Sequence, residues 1–173
     1  MLDKMLDRSS SIAIILASIV FIGVVVNKYL IANKRASALP AEVPIGKKLD
    51  LPDINWEGNG HTVVIALQKG CMFCSESAPF YRRLNQEFSR KQHLSIVAVL
   101  PDTVENSREH LKALDMPFNE VRQAQFKSIG VSGTPTLLVA DKTGTVISGW
   151  VGRLPSEKET EVLQILTQLS QNN

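Results

Sequence analysis

Apolar residues follow two regimes along this chain. Between Ser11 and Val26 they form one block without a charged residue, whereas beyond Lys47 they fall into short runs separated by polar turns. With Asn27 to Ile31 the first block reaches about 20 residues, the length a helix needs to cross the hydrocarbon core of a bilayer. Asp3, Lys4, Asp7 and Arg8 precede the block. Lys28, Tyr29, Lys34 and Arg35 follow it, where long cationic stems and an aromatic ring suit the membrane interface. The pattern predicts a single transmembrane anchor over residues 11–31 behind a short flank at 1–10. Ala36 to Ala38 has the small-x-small form of a signal-peptide cleavage site. Lys34 and Arg35 separate it from the apolar block and the leading flank holds acids as well as bases, so retention is the expectation. Residues 32–46, with two prolines and few large apolar groups, read as a tether.

The domain is expected at 47–173, enough chain for one hydrophobic core. Thr62 to Leu67 is a continuous apolar run rich in β-branched residues, which predicts a central strand buried on both faces. Shortly after it Cys74, Ala78, Tyr81, Leu84 and Phe88 recur at helical spacing, giving an apolar stripe on a helix that starts at Cys71. Further strands are predicted over Leu94 to Leu100, Thr136 to Ala140 and Thr145 to Trp150. Asp141 to Gly144 joins the last two as a hairpin, with glycine where a left-handed residue is often needed. Asp102 is placed to cap a helix running through Leu111 and Leu114. Ser156 and Glu159 have the spacing of a capping box ahead of Val162, Leu163, Leu166 and Leu169, a final amphipathic helix. Strands alternating with helices and ending in a hairpin and a helix make an α/β layer architecture.

Composition narrows this picture only slightly. A formal charge of +2, with Lys and Arg scattered among a nearly equal number of acids, gives no basic stripe, so no nucleic-acid partner is expected. The flank after the apolar block is at least as basic as the flank before it, which opposes export of the domain under the positive-inside rule. Long domains translocate largely regardless of such charges, so orientation is left to the chemistry of the domain.

That chemistry centres on Cys71-Met72-Phe73-Cys74, which holds the only two cysteines in the chain. Their spacing puts both on one face of a helix, one turn apart, where the sulfurs can meet. At a helix start Cys71 faces unpaired backbone N–H groups that favour a thiolate, the attacking form. Cys74, a turn further in, is placed to resolve a mixed disulfide formed on Cys71. Lys69 adds positive charge beside the turn, although a solvated lysine is the plainer reading. The spacing alone also fits half of a zinc site or a structural disulfide. His61, His93 and His110 are the only histidines and none stands at zinc-finger spacing from the cysteines, which favours redox chemistry over metal. A second feature is Gly133-Thr134-Pro135-Thr136, immediately before the apolar strand of the hairpin. A proline there permits a cis peptide bond, though a trans bond is the default for an isolated X-Pro.

Taken together, a strand, CxxC at a helix start, Pro79 five places after the second cysteine and Thr134-Pro135 before a hairpin resemble the thioredoxin-like superfamily. The resemblance covers Lys47 to the end and implies a central mixed sheet flanked by helices. It also implies that Pro79 kinks the active-site helix and that the Thr134–Pro135 bond is cis and packs against the cysteines. The long interval from Cys74 to Pro135 is similar to the TlpA-like redoxin branch, whose members are commonly tethered by an N-terminal helix outside the cytoplasm and reduce disulfides in partner proteins.

Several positions depart from the family pattern. Gly70 replaces the aromatic that usually precedes the first cysteine, Met72-Phe73 replaces Gly-Pro, and Ile65 stands where thioredoxins bury an aspartate. Ser77 occupies the place where TlpA-like proteins often carry a glutamate, with Glu76 one step earlier. With no histidine between the cysteines, a less oxidising pair than in the strongest disulfide donors is expected.

The expected activity is thiol-disulfide exchange with partner proteins, favouring the reductase direction and needing no cofactor. Cys71 is the nucleophile and Cys74 the resolving thiol. The backbone of Thr134 beside Pro135, with the apolar Met72 and Phe73, would bind the substrate segment. Trp150 is a further candidate for that surface, or else core. Partners are disulfide- or dithiol-containing proteins and an electron donor that the sequence does not name. The protein is expected to be a single-pass membrane protein with its catalytic domain extracytoplasmic. Two other readings stay open, a tethered binding or assembly module with a permanent disulfide, and a copper-delivery protein, although no histidine follows His110.

Overall fold

A computed structural model of the chain describes residues 42–171, and the anchor expected at 11–31 lies outside the described residues. Among the described residues no helix is long and apolar enough to cross a membrane. Five strands, β1 (His61–Ala66), β2 (Leu94–Leu100), β3 (Glu120–Gln123), β4 (Thr136–Ala140) and β5 (Val146–Val151), form one sheet in the order β3-β2-β1-β4-β5. β1 lies parallel to β2, and β2 to β3, while β4 runs antiparallel to both β1 and β5. This is the mixed sheet that the resemblance implied, with the run from Thr62 in the middle.

Two-residue alternation divides the apolar run of β1 between two cores. Val63, Ile65 and Leu67 join Ala98, Leu100, Leu137 and Val139 on one side of the sheet. Val64 and Ala66 join Val97, Val99, Leu138 and Ala140 on the other. Full burial on both faces is why these strands read as continuous apolar runs. The first face is covered by α3 (Ala78–Phe88) through Phe80, Tyr81, Leu84 and Phe88, by Leu111 of α4 (Val104–Ala113), and by Val162, Leu163 and Leu166 of α5 (Ser156–Gln171). The second is covered by Leu49, Leu51, Ile129 and Val131, with Trp56 of the single-turn α1 (Trp56–Asn59).

The packing of the domain begins ahead of the expected start at Lys47. The Gly46 N–H donates to the Val146 carbonyl, the Val146 N–H to Lys47 and the Leu49 N–H to Gly144, so the segment extends the sheet beyond the start of β5. Val43 covers Gly149, where an added Cβ would stand 2.6 Å from its Cγ1. Within residues 43–46, assigned to the tether, Val43 therefore packs against the second core and Pro44 is buried, while Ile45 stays exposed. β3 and α1 were not anticipated, because a four-residue edge strand and a single turn bury too few side chains to leave a periodic pattern.

Two helix starts differ from expectation by one residue. Thr103 caps α4, its hydroxyl accepting from the Asn106 N–H at 3.3 Å, while the Asp102 carbonyl accepts from Ser107 Oγ. At α5 the Pro155 carbonyl accepts from the Lys158 and Glu159 N–H groups, so Ser156 stands inside the helix instead of capping it. The hairpin is built as expected. Asp141 Oδ1 accepts from Thr143 N–H, Thr143 Oγ1 and Thr145 N–H, and Gly144 adopts φ 81° against the Trp56 ring.

His61, at the start of β1, has a buried Nδ1 with no partner among the described residues. Burial holds its pKa below the ordinary 6.5, against the raising influence of Asp141. An unfolded chain takes up the proton more readily, so His61 contributes stability that is complete above 6.5 and is lost as pH falls through its folded value. Thermal unfolding followed from about pH 7 down to about pH 5 should show the midpoint declining, with a flatter profile for His61→Gln. An unchanged profile in the variant would contradict this assignment.

Candidate active site

The central strand ends where the cysteine pair begins. Beyond Leu67 the chain turns through Gly70, whose φ of +75° lies in the left-handed region that glycine occupies without Cβ strain. An aromatic residue, the usual occupant in the proteins that the sequence resembles, would be strained in this turn. The Gln68 carbonyl then accepts from the Cys71 N–H at 3.3 Å and places Cys71 as the N-cap of α2 (Met72–Glu76).

Cys71 Sγ accepts from the Cys74 N–H at 3.1 Å, so a sulfur takes the place of the usual capping oxygen. That donor stabilises negative charge on Cys71. With only five residues in α2, this local N–H group matters more than any macrodipole. The two sulfurs are joined as a disulfide with Cα atoms 5.2 Å apart. The partners differ sharply in access: Cys71 is partly exposed, whereas Cys74 is 1% exposed and packs in the first core with Ile65, Ala78 and Tyr81. Ile65, standing where thioredoxins bury an aspartate, leaves an apolar wall on this side of Cys74.

The active-site helix does break as the resemblance implied. α2 ends at Ser77 and α3 starts at Ala78, with Pro79 in its first turn. Proline has no N–H to give the carbonyl four residues back and its ring crowds that carbonyl, so the helix restarts instead of continuing. Ser77 sits at the break with its hydroxyl buried and unpartnered among the described residues.

The Thr134–Pro135 bond is cis. The Thr134 carbonyl oxygen lies 3.5 Å from Cys71 Sγ, within reach of a reduced thiol as donor. This loop is held from both ends. Thr136 Oγ1 donates to the Gly133 carbonyl at 2.7 Å, and the Gly152 N–H donates to the Pro135 carbonyl at 2.7 Å. Residues 63 positions apart in sequence thus meet at one sulfur.

Met72 and Phe73 are 63% and 50% exposed, two large apolar side chains beside the disulfide. Trp150 is half-buried, paired across the sheet with Leu137 and packed on the first core together with Cys71. It lies at the border of that core, beside the site. Lys69 is exposed. Glu76 is ion-paired with Arg153, its Oε2 2.9 Å from the guanidinium. Arg153 and Gly152 were not foreseen, and no motif marks them, because they reach the site from the loop between β5 and α5. Among the described residues no group of three or more His, Cys, Asp or Glu side chains is placed to share a metal ion. His61 and His93 lie at the opposite end of β1 from Cys71, joined by a backbone bond from the His61 N–H to the His93 carbonyl.

No protein-family model matches the chain. No curated protein sequence matches it either. Solved structures do. A proposed thiol:disulfide interchange protein DsbE from Chlorobium tepidum is 22% identical, with 75% of this chain and 97% of that one covered at a TM-score of 0.53. The thioredoxin domain of a thiol-disulfide oxidoreductase from Bacteroides vulgatus is 17% identical over 75% of this chain and 99% of its own, with a TM-score of 0.51. A thiol-disulfide isomerase from Corynebacterium glutamicum is 14% identical over 80% and 99% of the two chains, with a TM-score of 0.54. At these identities the likeness speaks for the fold, and with the sheet order, the cysteine pair at a helix start and the cis proline beside it, that fold is thioredoxin-like.

Proposed function

We propose that the chain is a membrane-anchored thiol-disulfide oxidoreductase that exchanges disulfides with partner proteins through Cys71 and Cys74, working as a reductase. The observation that carries the reading is the unequal access within one disulfide, a partly exposed Cys71 sulfur held by a backbone N–H and a Cys74 sulfur in the core. A permanent structural bond needs no such asymmetry. Exchange needs it, because one sulfur must meet the partner and the other must wait.

In the reductase direction the Cys71 thiolate attacks a partner's disulfide, forming a mixed disulfide and releasing one partner thiolate, which takes up a proton. The Cys74 thiol loses its proton and attacks Cys71 Sγ, which releases the second partner thiol and closes the Cys71–Cys74 bond. Two electrons pass to the partner. The backbone of Thr134 offers hydrogen bonds to an extended partner segment, and Met72 and Phe73 bury apolar side chains beside the cysteine under attack. The Met72-Phe73 pair brings no imidazole or cation to the thiolate, which favours a reducing role. A dithiol-containing donor protein returns the electrons. The apolar block at 11–31 supports anchoring, and a domain built to exchange disulfides fits an extracytoplasmic compartment.

Replacing Cys74 by Ser should trap partners as mixed disulfides on Cys71, visible as adducts that reductant removes, and Cys71→Ser should trap none. Absence of adducts in both variants would return the disulfide to a structural role. Met72→Ser with Phe73→Ser should raise KM for a disulfide-bonded protein substrate by roughly tenfold with kcat little changed, since the lost contacts bind and do not react. A fall in kcat alone would contradict the docking role. A C-terminal reporter that works only outside the cytoplasm should be active, and activity of a cytoplasm-only reporter would overturn the orientation.

A further inference from the structure

The Glu76–Arg153 pair has no evident purpose as a source of stability. Its side chains are 38% and 59% exposed, and ion pairs that wet contribute little to folding. Its position is more telling. Glu76 stands on α2, the short helix that also carries Cys74 and is capped by Cys71. Arg153 follows Gly152, whose N–H holds the Pro135 carbonyl, and Thr134 on the other side of that proline touches Cys71 Sγ. The contacts therefore close a ring, from Cys71 to Thr134 and Pro135, to Gly152 and Arg153, and through Glu76 back along α2.

We propose that this pair tunes the redox equilibrium of the Cys71–Cys74 bond, with Arg153 as a positioning residue that neutralises Glu76 and keeps its charge from opposing the Cys71 thiolate. The proposal rests on the redox reading above. A carboxylate on a five-residue helix cannot move far from the sulfur at its start, and unscreened it would destabilise the reduced, negatively charged form. The guanidinium, brought by a loop that Pro135 itself anchors, cancels that charge. Lys69 lies in the turn before Cys71, α3 carries Arg82, Arg83 and Glu87, and α5 carries Glu157, Lys158, Glu159 and Glu161, of which Glu159 acts on the buried Tyr81 hydroxyl.

The test is the equilibrium of the full chain with glutathione. Two glutathione thiols reduce the Cys71–Cys74 bond and leave two protein thiols and one glutathione disulfide, a transfer of two electrons and two protons. Arg153→Ala should shift the constant about threefold toward the protein disulfide, and Glu76→Gln about threefold toward the dithiol. The double variant should return near the parent value and Arg153→Lys should stay near it. About 1 M salt should compress both shifts. Shifts of the same sign in the two single variants, or none, would mean that the pair only braces the loop and would overturn the inference. Failure of the parent chain to exchange with glutathione at all would instead overturn the redox reading beneath it.

Discussion

Burial of β1 on both faces is the constraint from which the site follows. A strand with Val63 and Ile65 in one core and Val64 and Ala66 in the other has no free face, so the chain can turn only where the strand ends. Gly70 makes that turn and delivers Cys71 to the C-terminal end of the central strand, with Cys74 directed back into the core that Ile65 has begun. The same strand pairs with β4, which fixes the Thr134–Pro135 loop immediately before Thr136 at the same end. Two segments far apart in sequence meet at one sulfur because both are attached to the ends of neighbouring strands.

The chemistry is then a matter of small differences between two similar thiols. One receives a backbone hydrogen bond and stays within reach of solvent and of the Thr134 carbonyl. The other has almost no exposed surface. Apolar side chains at Met72 and Phe73 make the accessible rim greasy, and the Glu76–Arg153 pair keeps its charge balanced. Most of these features lie on α2, while Thr134 and Arg153 reach it from the loops before β4 and after β5, which is why the site needs more than its own helix.

The parts of this arrangement that come from strong periodic patterns were legible in the sequence. The runs at Thr62, Leu94 and Thr136 and the stripe from Cys74 to Phe88 all stand where burial put them. The caps of α4 and α5 moved by one residue because neighbouring polar groups compete for the same role and only geometry selects between them. Residues 43–46 looked like a tether because they are held by the contact of Val43 with Gly149 and the hydrogen bond of Gly46 to Val146, which local composition does not record. The cis bond at Pro135 came from family resemblance, since spacing alone favours trans. Arg153 had no signal at all, because its partner is 77 positions away and a single arginine in a loop has no pattern.

The proposed exchange depends on the inequality of the two cysteines, and their alkylation in the reduced, folded chain measures it directly. Peptide mapping after brief treatment with an alkylating reagent should find Cys71 modified at least roughly tenfold faster than Cys74, with Cys74 reacting freely only once the chain is unfolded. Equal rates in the folded chain, or faster reaction at Cys74, would contradict the assignment of attacking and resolving thiols.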